Sequence, residues 1–487
     1  MMRRAMTFLC FLLFFLCGAA EEVGLDTVPW TDAAYSWTPE GMRLPRINRN
    51  LSGKGEIRIG RKNYSRGICG HTGFSIVYRL DRTADSFHAK IGVDEERLPK
   101  ERDEETSVRF VVLADHRIVL DRTLELGAAA EEVNLDLRNV HQLELRGEYG
   151  RGFRLQRVAW AEPVFRTRTP EKLRETLKRN RLEHERKTAF VPEYPTPPRG
   201  SVCRIRKVRW NGFDNAYRVR WSTYEALLLP EYGGRIMEFR NTHRMNLLKT
   251  TVFPGPERLL RGKTPDRSGG HFMRIHPSPA FYPNDPLLKH TPYSIAFPAE
   301  GEIVMRSPES TLFRVVCEYR LRFEPDGLLV ENRVINQAPF RRELGIWSIT
   351  RLETSALARL ILPPERKEPP MRLQLEQRGG LLRLIRHPER LELALSSGGT
   401  KGVPFAQLRC WCDPAEIRTE GRKGSRMHIR YQTPAKDLNG EFPVHIFINP
   451  ALTEEESHSP TLPRNPGEVL SFREHWSAEQ TAEAPIP

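Results

Sequence analysis

The sequence predicts an all-β protein of two sandwiches joined by one helix, on three observations. Short segments alternate apolar and polar residues, most cleanly at Val133-Asn-Leu-Asp-Leu137, and this period of two buries one face of a strand. Turn-forming residues punctuate these segments at regular intervals. A helical period takes over between Thr169 and Lys187.

The chain of 487 residues opens with Arg3 and Arg4, an apolar run from Phe8 to Leu16, and small residues Gly18, Ala19 and Ala20. That is the layout of a signal peptide spanning 1–20, with cleavage expected after Ala20. The run is shorter than the ~20 apolar residues of a spanning helix. An uncleaved anchor is one alternative. Lipid attachment at Cys17 is another, although Leu16 is large where such attachment patterns have a small residue. A secreted or periplasmic location follows, with no transmembrane segment in the mature chain.

At 39% hydrophobic and 28% charged residues the composition can build a core. The formal charge of +14 becomes +12 without Arg3 and Arg4 (14 − 2). The arginines are scattered through alternating strands rather than gathered on one element, so a nucleic-acid partner is not expected. Of seven cysteines, Cys10 and Cys17 fall in the leader; Cys69, Cys203, Cys317, Cys410 and Cys412 remain. Five is odd, and their spacing shows neither a disulfide framework nor a zinc pair, so they read as buried small hydrophobes.

Residues 21–165 form the first expected unit, an antiparallel, jelly-roll-like sandwich. Strand candidates run over Ser75–Leu80, Ser86–Val93, Val108–Leu113, Arg117–Leu120, Val133–Leu137, Gln142–Arg146 and Val158–Trp160. Gly67, Gly70 and Gly73 predict a tight loop presenting His71 between strands. Asp94 and Glu95 offer oxygen to calcium, but two adjacent acids make a weak signal.

Trp30, Asn63-Tyr64, Gly67 to His71, Tyr78, Phe87, Gly92-Val93-Asp94 and Ala159-Trp160-Ala161 follow one another as in the NPCBM domain, the carbohydrate-binding module named from glycoside hydrolase family 98 proteins, which this unit resembles. The resemblance implies a carbohydrate or glycan partner, with Tyr64, His71, Tyr78 and Asp94 at the matching positions. Arg66 and Cys69 in the glycine-rich loop, and Ala114-Asp115-His116 in place of an Asp-Gly turn, depart from the pattern. Packing of the sandwich interior is the competing role for the aromatics.

The linker, 166–200, holds the predicted helix. Thr169 can cap, Pro170 suits the first turn, and Leu173, Leu177 and Leu182 give a narrow apolar stripe on an otherwise solvated element. Val191-Pro-Glu-Tyr-Pro-Thr-Pro-Pro198 ends it.

Residues 201–476 form the second unit, followed by a tail at 477–487. Leu227 to Ile236 reads as strand, glycine turn at Gly233-Gly234, and strand. Long strands follow at Leu312–Phe323, Gly327–Ile335 and Glu343–Thr350, with Asp326-Gly327 as a hairpin turn and a loop-rich stretch from Gly255 to Pro298. Two large curved sheets are expected. Tyr232-Gly-Gly-Arg-Ile236, Asn246-Leu-Leu248, Val330-Glu-Asn-Arg-Val334, Trp347 and Pro466 to Trp476 resemble the bacterial domain-of-unknown-function family 4380. That resemblance implies a galactose-mutarotase-like supersandwich.

Within this unit Arg235, Arg274 and Tyr282 are candidate sugar contacts. A guanidinium can grip hydroxyls or a carboxylate, and rings offer a flat apolar face. Arg235 can equally brace a sheet edge. Acid–base work on a sugar needs a proton donor and an acceptor; His271, His276, His290 and Glu331 are the candidates. Three functions follow: a carbohydrate-binding protein, an enzyme (hydrolase, epimerase or lyase) with a catalytic second unit, and a non-catalytic envelope or adhesion protein. The residues imply no cofactor beyond the weak calcium signal.

Overall fold

The computed structural model describes residues 20–35, 45–95, 107–150, 156–252, 268–277, 286–364, 373–395, 405–410, 415–432 and 444–479. The described residues up to Arg186 form one compact unit and those from Lys187 another. Among them no helix is long and apolar enough to cross a membrane. The signal-peptide residues before Ala20, Tyr282, Trp411 and Cys412 lie outside the described residues.

The first unit is a sandwich of two antiparallel sheets. One runs Glu131–Asp136, Ser86–Val93, Arg157–Thr167, Gly67–His71, Arg46–Ile47, with Glu21–Gly24 also on Arg157–Thr167. The other runs Arg117–Glu125, Ser107–Ala114, Gln142–Tyr149, Phe74–Arg79, Asp32–Tyr35. Alternation sends Ile68, Val158 and Trp160 into the core between the sheets, and their neighbours Cys69, Ala159 and Ala161 to the outer face. There the hairpin Ile57–Ile59/Lys62–Tyr64 covers them with Ile57, Ile59 and Tyr64.

The helix Pro170–Thr188 starts at the expected proline. As expected it is solvated on most sides, and its narrow buried stripe docks on the first unit, Leu173 and Leu177 belonging to the sandwich core. The same face continues through Asn180, whose side chain donates to the Arg79 carbonyl at 2.8 Å, and His184, 3.5 Å from Asp32. At about 3.6 residues per turn, residues 173, 177, 180 and 184 share a stripe. Leu182 lies half a turn away and is 55% exposed.

The second unit has the expected supersandwich layout. Its larger sheet orders Arg204–Trp210, Phe213–Trp221, Tyr224–Leu229, Arg235–Asn241, Gly270–His276, Arg342–Leu352, Leu452–His458, Val444–Asn449, Phe405–Cys410 and Leu373–Arg378. The facing sheet orders Ser294–Ala296, Glu302–Arg306, Val315–Glu324, Gly327–Asn336, Val469–Ser477, Arg426–Tyr431, Glu416–Gly421, Leu357–Leu362, Arg390–Leu395 and Leu382–His387. Two sequence expectations shift. Gly270–His276 is a central strand inside the stretch read as loop, because Phe272, Met273 and Ile275 have sheets or neighbouring side chains to bury against. The hairpin turn is Pro325-Asp326, since Glu324 already pairs with Gly327.

Cys69, Cys203, Cys317 and Cys410 are buried and free of disulfides, as small hydrophobes would be. In the turn before Arg235, Gly233 and Gly234 take φ of +69° and +64°, the left-handed region that glycine enters at little cost.

Candidate functional site

In the first unit, structure separates the four candidate residues. His71 is the last residue of the strand Gly67–His71, paired with Arg157; the turn that follows is Thr72-Gly73, so His71 ends a strand rather than riding a glycine loop. Its ring is half-buried, and Nδ1 has no hydrogen-bond partner among the described residues. Burial, seconded by the Arg157 charge, holds it down to about 4.

Tyr78 has no exposed surface and meets Phe165 edge-on at 5.4 Å inside the core. Burial raises its phenol well above the ordinary value, and its position makes it core packing rather than a ligand contact. Tyr64, 5% exposed, is part of the outer hairpin and packs down on the sheet, with the Lys62 and Lys90 ammonium groups 5.4 and 5.8 Å from its ring centre. Asp94 is 2% exposed, and its Oδ1 accepts the Arg58 backbone N–H at 2.9 Å. Glu95 accepts from Arg61 N–H at 3.0 Å and pairs with Arg58. These two acids therefore tie the hairpin to the sheet. Of the four, His71 is the one that is half-buried rather than buried.

In the second unit the face of each residue decides its role. His271 points into the space between the sheets, wholly buried. The Thr350 hydroxyl lies 3.0 Å from its Nδ1, and Nε2 lies 3.4 Å from Asn332 Oδ1. Asn332 in turn donates to Glu474 at 2.7 Å, which Trp476 Nε1 also reaches at 2.9 Å. This network satisfies buried polar groups between sheets, and His271 is removed from any external substrate. Glu331 sits next to Asn332 and faces outward on the other sheet, paired with Arg473 at 3.2 Å. It cannot join the histidines of the larger sheet. His290 is buried with its ring 5.2 Å from that of Tyr232.

Arg235 is fully buried as well. Its Nη1 donates to the Gly269 carbonyl at 2.7 Å, and its guanidinium lies 4.2 Å from the Phe272 ring centre. It clamps the backbone beside the central strand. Arg274, Arg351 and Lys289 approach the same ring, at 5.6, 4.9 and 5.9 Å.

On the outer face of the larger sheet the strands Gly270–His276, Arg342–Leu352, Leu452–His458 and Val444–Asn449 bring together Arg274, His276, Trp347, Glu456, His458 and His445. Register explains the convergence: Arg274 pairs with Trp347, Trp347 with His458, and Glu456 with His445. The intervening Ser348 and Glu455 bond instead to Glu474 and Thr419 of the facing sheet. Rings of His276 and His458 stand 5.0 Å apart, those of His445 and His458 4.7 Å, and Trp347 stacks on His458 at 5.3 Å. Trp347 Nε1 donates to Glu456 Oε2 at 3.1 Å.

Burial dominates the electrostatics here. It pushes the Glu456 carboxyl up to about 8, with the Glu454 charge adding and Arg274 opposing. Burial also holds His445 down to about 4 and His458 well below its usual value. Farther along this face is an open groove of about 450 Å³ lined by residues including Arg218, Glu238, Arg240 and Asn246, its charges paired around Glu225.

Sequence reasoning found Arg274 and His276 but missed Glu456 and His458. The signal was present: Glu454, Glu456 and His458 alternate within Leu452–His458, which puts them on one face.

Residues 21–166 match the family model of the NPCBM/NEW2 domain, and carbohydrate binding is the role this match supports for the first unit. Similar solved structures include the CBM51-2 and INT domains of Clostridium perfringens ZmpB in complex with GlcNAc, 23% identical over 31% of this chain and 32% of that chain, TM-score 0.27. The CBM51 module of a Clostridium perfringens GH95 protein in complex with methyl-galactose is 21% identical over 30% of this chain and 99% of that one, TM-score 0.26. A galactose mutarotase-like protein from Clostridium acetobutylicum is 10% identical over 57% of this chain and 98% of that one, TM-score 0.37. The chain spans about a third of the length of the first of these structures. No curated protein matches the chain.

Proposed function

We propose that the protein is an exported carbohydrate-binding protein whose first unit holds a glycan. The observation that carries this reading is the match of residues 21–166 to the NPCBM/NEW2 domain. His71, half-buried at a strand end with an unsatisfied Nδ1, is the residue that would hydrogen-bond a sugar hydroxyl. Export rests on the leader read in the sequence. A glycan array probed with the full chain tests the binding. Glycan capture by the native protein, lost in His71→Ala at unchanged fold, is the expected result; no capture of any glycan overturns the reading.

A second reading makes the second unit catalytic toward a carbohydrate. The cluster of Glu456 with His276, His445 and His458 favours it, because a carboxyl and imidazoles on one face can give and take protons at neighbouring oxygens. Anomer exchange of simple sugars followed by NMR, and release of reducing ends from the captured glycan, test it against the Glu456→Gln variant. Rates equal to that variant's in both assays would exclude it.

A further inference from the structure

Buried imidazoles normally have partners, since a buried nitrogen left unpaired loses the hydrogen bond that water would have given it. His458 breaks this rule. It is 6% exposed, and neither ring nitrogen has a hydrogen-bond partner among the described residues. What stands beside it is a ligand set. His445 Nδ1 lies 3.9 Å from Glu456 Oε2, and one donor atom from each of His445, Glu456 and His458 lies within 4.8 Å of the other two.

We infer that His445, Glu456 and His458 form a binding site for one divalent transition metal, zinc being the ion best suited. Two imidazoles and one carboxylate are a donor set zinc takes, with its fourth position left open to water or substrate. A tetrahedral zinc ion spaces its donors about 3.3 Å apart, so small side-chain rotations close the present separations. The strands supply the geometry. His445 and Glu456 are directly opposite in the antiparallel pair, and His458 follows Glu456 by the two residues that return it to the same face.

The surroundings fit a metal in two ways. Trp347 donates to Glu456 Oε2, fixing that carboxylate as outer-shell donors fix metal ligands. Glu454 adds negative charge near Glu456, partly offsetting the nearby Arg274 and Arg409. His276, 5.0 Å from His458, completes the wall. The inference goes beyond glycan binding and does not depend on it. An ion with an open position would give this face a means of holding sugar hydroxyls or activating a water.

The test uses the full chain, stripped with a chelator and titrated with zinc by calorimetry, then with cobalt to read coordination from its visible spectrum. One zinc per chain and a tetrahedral cobalt spectrum are expected. His458→Ala should abolish uptake, His445→Gln should weaken it at least about tenfold, and Trp347→Phe, which removes no ligand, by about 10–100-fold. Circular dichroism checks the fold of each variant; should His458→Ala not fold, the less deeply buried His445 position decides. Absence of zinc uptake by the native protein overturns the site. So does uptake undiminished in His445→Gln and Glu456→Gln, which would put the ion elsewhere, as at Glu324, Asp326 and His475.

Discussion

Trp347 gives its indole N–H to Glu456 at 3.1 Å while its ring stacks on His458 with an interplanar angle of 18°. One side chain thus holds two others of the outer-face cluster. Trp347→Phe keeps the stacking surface and removes the donor to a buried carboxyl. A loss of about 1–3 kcal/mol is expected, read from urea midpoints; Trp347→Ala should cost more, because ring packing goes as well. Equal stability of the native protein and Trp347→Phe would show that the bond contributes nothing.

Acid should weaken the second unit through Glu225. Its side chain is 1% exposed and meets Arg218, Arg220 and Arg240 from the strands on both sides. Burial works against its charge, but the guanidiniums of Arg240, Arg220 and Arg218 more than offset this and hold the carboxyl down to about 2. A folded-state value below the ordinary 4.5 means the unfolded chain binds the proton first. Its stabilisation is therefore complete above about pH 4.5 and lost as pH falls toward 2. Denaturant midpoints measured over that window should fall less steeply in Glu225→Gln than in the native protein. Parallel curves would remove Glu225 as the cause.

Gly233 should not tolerate a side chain. Its φ is +69°, and a Cβ there would lie 2.2 Å from the Lys289 carbonyl oxygen. Left-handed geometry alone costs a non-glycine residue about 1–2 kcal/mol, and the contact with backbone adds to it. Gly233→Ala should lower the melting temperature measurably. Gly212→Ala, with φ of +86° but nothing within 4 Å of the added carbon, isolates the conformational part.

Tyr78 and His71 separate packing from recognition. The Tyr78 hydroxyl is buried with no hydrogen-bond partner among the described residues, so Tyr78→Phe should be neutral or stabilising by up to about 1 kcal/mol, with glycan binding retained. His71→Ala should leave thermal stability nearly unchanged and lose glycan binding. The opposite pattern in calorimetry and on the array would exchange their roles.

Much of the architecture was legible. Leu227 to Ile236 reads as strand, turn and strand from its apolar run and paired glycines, and Tyr224–Leu229 and Arg235–Asn241 flank that turn. Gly270–His276 was illegible as a strand because His271, Arg274 and His276 give it the polarity of a loop. Those polar residues have separate outlets: His271 into the buried network, Arg274 and His276 onto the outer face. Leu182 misled in the other direction, an apolar residue on the solvent side of its helix.

By itself, the sequence determined that the chain is strand upon strand with a long helix between the two units' strands, since alternation and turn chemistry are local and act within a few residues. It could also name histidines and carboxylates able to do chemistry. Only the tertiary structure decided which of them meet. A period of two assigns residues to two faces without saying which face the second sheet covers, so His271 and His276, five residues apart, receive opposite fates. The cluster of Arg274, Trp347, Glu456 and His445 joins strands far apart in the chain through backbone pairing, and strand order is a property of the whole sheet rather than of any segment within it.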